Sequence, residues 1–349
     1  MNLLNLVRSY GVADQYQEWI GTFDNVYSTD GIDKQYDVAV VQIEMQYPQK
    51  WADIINQITC KKIVIIIQDY TQAVHDYIVL TNDKPGVHFL VHGKIRYPLA
   101  HATQSNFLSW FTDISFLYMY TDVKHKTQWE KICHSAYESK EYYFDFLPGT
   151  ETPARRLAHN WIMKNAKPND FLHTGKFWVH HQWGARLKEH INWDAGFWED
   201  NIEVYPNCKA SYHGHPIQVG QILPLQVYAK SRHSLICECV EKQDLFYPTE
   251  KIAKPIIAKR LFVVIGPQYY LRDLKELGFQ TFSSVIDESY DAEPDPYKRW
   301  NMALEQTKRL CAPMSRYELF KISTTVEHNY EHMMQLDFHA VTSVCRTIC

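Results

Sequence analysis

Residues 231–266 run SRHSLICECVEKQDLFYPTEKIAKPIIAKRLFVVIG and read as one strand–loop–helix–strand unit. Residues 234–239 are a short apolar run with a carboxylate, Glu238, at its C-terminal edge, and residues 241–248 are polar and turn-like. Thr249 stands where an N-cap belongs and Glu250 falls in the first turn. Ile252, Ala253, Ile256 and Ile257 then repeat at helical spacing. Pro255 predicts a kink or an early end to that helix. Residues 261–265, LFVVI, are a continuous apolar run, which suits a parallel strand buried on both faces. In a doubly wound sheet, ligands bind beyond the carboxyl ends of the strands, where Glu238 and Glu250 fall.

Outward from this unit, composition sets bounds. A chain of 349 residues is long for one core and comfortable for two domains. Hydrophobic content of 46% and charged content of 22% are those of a globular protein. The 23 Tyr and 10 Trp suit either a polar cleft that stacks on sugars or bases, or amphipathic packing at contacts. A net charge of −4 advertises no global basic field for nucleic acid. The eight Cys show no CxxC or CxxH pair, and the spacing of Cys345 and Cys349 alone is too little for zinc. Adjacent His180 and His181 point apart in a strand or helix, so no metal is expected there. With no secretory signal read at the start, a cytoplasmic setting with reduced thiols is expected. No apolar run reaches the roughly 18 residues of a membrane span, so no membrane partner is expected.

The N-terminal half alternates strands with short helical segments. Residues 36–43 read as a strand ending at Glu44, residues 51–58 as a short helix, and residues 62–68 as a buried strand ending at Asp69. Residues 87–91 and 116–120 read as further strands. This alternation predicts an α/β fold with a Rossmann-like parallel sheet, while the missing GxGxxG loop disfavours an NAD or FAD domain. A boundary is placed near residue 138. Beyond it, residues 141–147 read as a strand, the Gly149 region as a tight turn, and residues 153–164 as a helix with Pro153 in its first turn. Arg155 and Arg156 lie beside the positive end of that helix, which predicts a diphosphate site for at least one of them. The alternative is that one arginine merely pairs with Glu151. Residues 269–277 read as a helix stopped by Gly278, residues 280–282 as a short strand, and residues 285–291 as an acidic segment that either faces a cleft or forms a solvated loop. Residues 300–310 and 318 onward read as helices.

The order Glu238, Asp244, Thr249-Glu250-Lys251 resembles the donor-sugar region of GT-B glycosyltransferases, above all the α-1,3-fucosyltransferase type. The continuation KPIIAKRLFVVIG, YLRDLKELGFQTF and IDESYD resembles glycosyltransferase-like proteins of phages and large viruses. The layout KKIVIIIQDY, and the strand–Gly turn–Arg–helix order after residue 141, are similar to the DNA glucosyltransferases of T-even phages. The resemblance implies two Rossmann-like domains facing across a cleft. They would comprise an acceptor domain (1–138), a nucleotide-sugar domain (139–312), and a helical segment (313–349) crossing back to the first.

It further implies a UDP- or GDP-sugar donor, an inverting transfer and no obligatory metal or other cofactor. Gly149, Arg155, Arg156, Glu238, Thr249, Glu250, Lys251 and Lys254 would bind the donor. Such a transfer needs one base for the acceptor proton, and the carboxylates past strand ends supply the first candidates, Asp69 and then Glu44, while His92 and Asp122 occupy similar positions with less support. His92, Lys94, Arg96 and Arg186 are candidate acceptor or phosphate contacts. The acceptor expected is a hydroxymethylated base in duplex DNA, flipped from the stack, or else a glycan or lipid-linked sugar. A non-catalytic nucleotide-sugar-binding or virion protein is the rival.

Overall fold

The computed structural model describes residues 2–6, 25–27, 35–42, 53, 55–67, 72–108, 140–148, 151–167, 170–173, 202–204, 209–212, 215–218, 225–239 and 245–336. Contacts divide the chain into two units: Met1–Thr112 with Asp244–Pro248 and Asp337–Cys349, and Asp113–Gln243 with Thr249–Leu336. The boundary expected near residue 138, and the strand expected at 116–120, lie outside the described residues.

The first unit contains strands β1 (Asn2–Leu6), β2 (Asn25–Tyr27), β3 (Gln35–Gln42), β4 (Thr59–Ile67), β5 (Val87–His92), β6 (Lys94–Ile95) and β7 (Thr103–Phe107), with helix α1 (Gln72–Thr81). Six of the strands form one sheet in the order β2-β1-β3-β4-β5-β7, and every pairing is parallel. The cause is visible in β4: Ile63 to Ile67 are all buried, as a strand covered on both faces must be. Of the expected elements, 36–43, 62–68 and 87–91 match β3, β4 and β5 to within a few residues, and only residues 53 and 55–57 of the expected helix are described as helical.

The short strand β6 pairs antiparallel with β14 (Leu245–Phe246), which belongs to this unit although it lies in the middle of the second unit's sequence. Gly93 permits that approach. Its φ is +94°, and a Cβ there would sit 2.1 Å from the carbonyl oxygen of Phe246.

The second unit has a parallel sheet of β8 (Tyr142–Phe146), β9 (Phe171–His173), β13 (Ser231–Cys237) and β15 (Leu261–Ile265), in the order β15-β13-β8-β9. Strands β10 (Ile202–Val204), β11 (Lys209–Tyr212) and β12 (His215–Gln218) form a separate antiparallel sheet. The helices are α2 (Pro153–Asn165), α3 (Leu225–Lys230), α4 (Glu250–Ile257), α5 (Tyr270–Glu276), α6 (Pro296–Arg309) and α7 (Arg316–Gln335). The protein is therefore mixed α/β, built on parallel sheets. Helix α7 lies in the second unit and packs on α4. None of the described helices is long and apolar enough to cross a membrane.

Two expectations are corrected here. Residues 280–282 form no strand; the backbone of Gln280 is instead satisfied by the Asn329 side chain, which accepts from its N–H at 2.7 Å and donates to its carbonyl at 2.9 Å. The acidic segment 285–291 is not simply solvated. Asp291 accepts from the backbone N–H groups of Leu271 and Arg272 and so caps α5, while Glu288 accepts from Thr281 and from the Phe282 backbone.

The second sheet is held from within by one ion pair. Arg260, just before β15, donates to Asp145 at 2.5 Å and to the hydroxyls of Ser231 and Ser234, and its guanidinium lies 4.2 Å from the ring centre of Tyr228. Both charged groups are buried, and burial pushes the Asp145 carboxyl up against the pull of Arg260.

Candidate functional site

Strand order dictates where to look. From β8 the chain passes through α2 to β9 on one side, whereas β13 and β15 lie on the other. Among the described strands the order therefore reverses between β8 and β13, and a crevice at the carboxyl ends of those two strands is the ligand position this topology favours. Helix α2 follows β8 there, and the segment from Glu238 follows β13.

Helix α2 starts because Thr152 caps it, accepting from the Arg155 N–H at 3.3 Å, and Pro153 occupies the first turn. The neighbouring arginines then part. Arg155 is buried and donates to the Cys237 carbonyl at 3.2 Å and to the Cys239 sulfur at 3.5 Å, gripping the end of β13. Arg156 is exposed and paired with Glu151, the alternative that the sequence left open.

Glu238 is 1% exposed. Its Oε1 accepts from the Thr249 N–H at 3.1 Å and from the Tyr270 hydroxyl at 2.7 Å, and its Oε2 accepts from the Thr249 hydroxyl at 2.6 Å. Both oxygens are engaged by the chain itself, so Glu238 positions the start of α4. Thr249 caps α4, accepting from the Lys251 N–H at 3.2 Å. Burial, and then the charge of Glu238, raise the Tyr270 hydroxyl well above its ordinary value, so it stays a donor.

At the surface of this construction sit Glu250 and Lys251, paired at 2.7 Å, with side chains 28% and 24% exposed. Desolvation raises the Glu250 carboxyl, but the charges of Lys251 and Lys254 and the hydrogen bond from Lys251 outweigh it and bring it down to about 2. In the other direction, desolvation lowers the Lys251 ammonium, and Glu250 outweighs this and raises it. Near neutral pH the edge therefore presents a fixed carboxylate beside a fixed ammonium. Such a pair can accept from vicinal hydroxyls and neutralise an anion side by side.

Of the expected donor residues, Arg155, Glu238, Thr249, Glu250 and Lys251 come together at the carboxyl edge of the sheet, and Lys254 lies near enough to act on Glu250. Gly149 and Arg186 lie outside the described residues, as do Asp244, Asp122 and both candidate bases, Asp69 and Glu44. In the first unit, His92 is buried against the ring of Tyr247, at 4.6 Å between centres, and Lys94 sits in β6 opposite Phe246; Arg96 is half-buried. No cluster of metal-ligating side chains occurs among the described residues.

The residues missed by the sequence reading are Tyr270 and Cys239. Tyr270 left one signal, a tyrosine on the apolar side of a helix start, because a buried hydroxyl must find an acceptor. Set beside known proteins, the chain matches no family model, and no curated protein is similar to it.

Proposed function

We propose that the chain is a nucleotide-sugar-dependent glycosyltransferase whose donor binds at the carboxyl ends of β8 and β13. The observation that carries this reading is the Glu250–Lys251 pair, held at a strand-order reversal by the Glu238–Thr249–Tyr270 bonds. In this reading Glu250 accepts from the ribose hydroxyls of a UDP- or GDP-sugar. Lys251 faces the diphosphate and stabilises the negative charge that builds as the nucleoside diphosphate departs. Arg155, locked on Cys237, stabilises the floor.

In this reading the architecture is of the GT-B type, with the acceptor taken by the first unit. The acceptor hydroxyl attacks the anomeric carbon, the bond from that carbon to the diphosphate oxygen breaks, and the acceptor proton passes to a carboxylate. Asp69, two residues beyond the end of the buried strand β4, is the proposed base, and Glu44 the second choice. The acceptor proposed first is a hydroxymethylated base of duplex DNA, and second a glycan.

A thermal-shift series with UDP, GDP and their sugars tests the donor, because a ligand of the folded state raises the melting temperature. The expected result is a rise with one nucleoside diphosphate family that Glu250→Ala abolishes while the unliganded melting curve survives. No shift with any nucleotide sugar overturns the reading. A shift without turnover on modified DNA or glycans leaves a binding protein in place of an enzyme. If turnover is found, Asp69→Asn lowers kcat by about 10²–10⁴-fold with donor binding intact.

A further inference from the structure

Helix α2 has two working faces. Ala154, Arg155, Ala158 and Ile162 are buried. A flanking face, with Leu157, Asn160, Trp161 and Lys164 spaced by turns of the helix, lines a groove of about 750 Å³ whose other wall is Tyr297 and Asn301 of α6. That volume falls within the ~300–1,000 Å³ of small-molecule sites.

We propose that this groove binds a short neutral saccharide. The wall chemistry selects that class. Trp161 and Tyr297 supply flat apolar surfaces for the C–H faces of sugar rings, and Tyr297 is fixed edge-on against the buried Trp300 at 5.2 Å between centres while remaining 56% exposed. Asn165 and Asn301 each spend one amide hydrogen on their own helix, on the carbonyls of Trp161 and Tyr297 at 2.8 Å, which leaves both amide oxygens to accept from ring hydroxyls. The Asn160 amide makes no side-chain hydrogen bond among the described residues.

Charge decides between a saccharide and a nucleic acid strand, which also stacks on aromatic rings. Arg156 is paired with Glu151, so among the described residues Lys164 is the remaining cation lining the groove, too little to track a phosphate backbone. This inference stands on the groove alone and does not require the transfer reaction, so binding rather than turnover is its readout.

Isothermal titration of the full chain with maltotetraose, chitotetraose, mannotetraose and, as the nucleic acid control, octathymidylate tests it. At least one tetrasaccharide is expected to bind with Kd of about 1 mM or tighter. Tyr297→Ala and Asn301→Ala, both at exposed positions, are expected to weaken it at least about tenfold, with the melting temperature unchanged. Retention of nucleotide-induced thermal shifts in these variants keeps the groove separate from the α4 edge. Failure of all three saccharides at about 10 mM, binding that neither variant alters, or tighter binding of octathymidylate each overturns the proposal.

Discussion

Thr249 bonds both oxygens of Glu238, its N–H reaching Oε1 at 3.1 Å and its hydroxyl Oε2 at 2.6 Å. Glu238 directly follows β13 and Thr249 caps α4, so one buried carboxyl group closes the root of the excursion between them. Glu238→Ala leaves the Thr249 and Tyr270 donors without their acceptor. Each buried group so stranded costs about 1–3 kcal/mol, so a loss of about 3 kcal/mol or more is expected in urea denaturation. Glu238→Gln keeps one acceptor oxygen and is expected to lose distinctly less. Equal losses in the two variants would show that volume, not bonding, holds the root.

Glu250 gives a pH signature. Its folded value is about 2, against 4.5 for the free side chain. A depressed carboxyl contributes stability that is fully present above the unfolded value and is lost as pH falls through the folded one. The stability gap between the wild-type chain and Glu250→Gln should therefore be constant from neutral pH to about 5, then close between about 4.5 and 2. A gap that does not narrow as pH falls through this window rules out the ion pair with Lys251 as its source.

Two of the ion pairs in the second unit make a contrast. Asp145→Asn leaves the buried Arg260 charge uncompensated and should cost about 3–5 kcal/mol. Glu151→Ala breaks the exposed pair with Arg156 and should change stability by no more than about 1 kcal/mol. Denaturation midpoints of both variants decide it, and similar losses would contradict the burial difference between the pairs.

Asn329 answers both backbone groups of Gln280. Asn329→Ala should cost about 1–3 kcal/mol. Hydrogen exchange at the Gln280 amide reads the local effect. Exchange as slow in Asn329→Ala as in the wild-type chain would show that the amide is protected by something else.

What sequence could and could not reveal follows from the range of each interaction. Leu261 to Ile265 were legible as a buried parallel strand because both faces of a strand are written in five consecutive residues. Thr249 was legible as a cap because its partner is two residues away. Glu238 is legible at a strand end and Thr249 and Glu250 at a helix start, but sequence could not tell that Glu238 faces inward. That is decided by Tyr270, 32 positions downstream. Gln280 looked like a strand because its neighbours are apolar, and the amide that satisfies it lies 49 positions away on α7. Asp291 looked solvated for the same reason: the helix end it caps precedes it by about 20 residues. Arg155 and Arg156 were indistinguishable as letters, and the helix turn alone sends one inward and the other to Glu151.

The pairing of β6 with β14 sets an order on synthesis. Residues 94 and 95 leave the ribosome some 150 residues before Leu245 and Phe246, and Gly93 keeps their edge open for a strand that does not yet exist. Until then the first unit carries an unpaired edge, and neither unit can be cut out as one contiguous piece of gene without losing or orphaning these few residues.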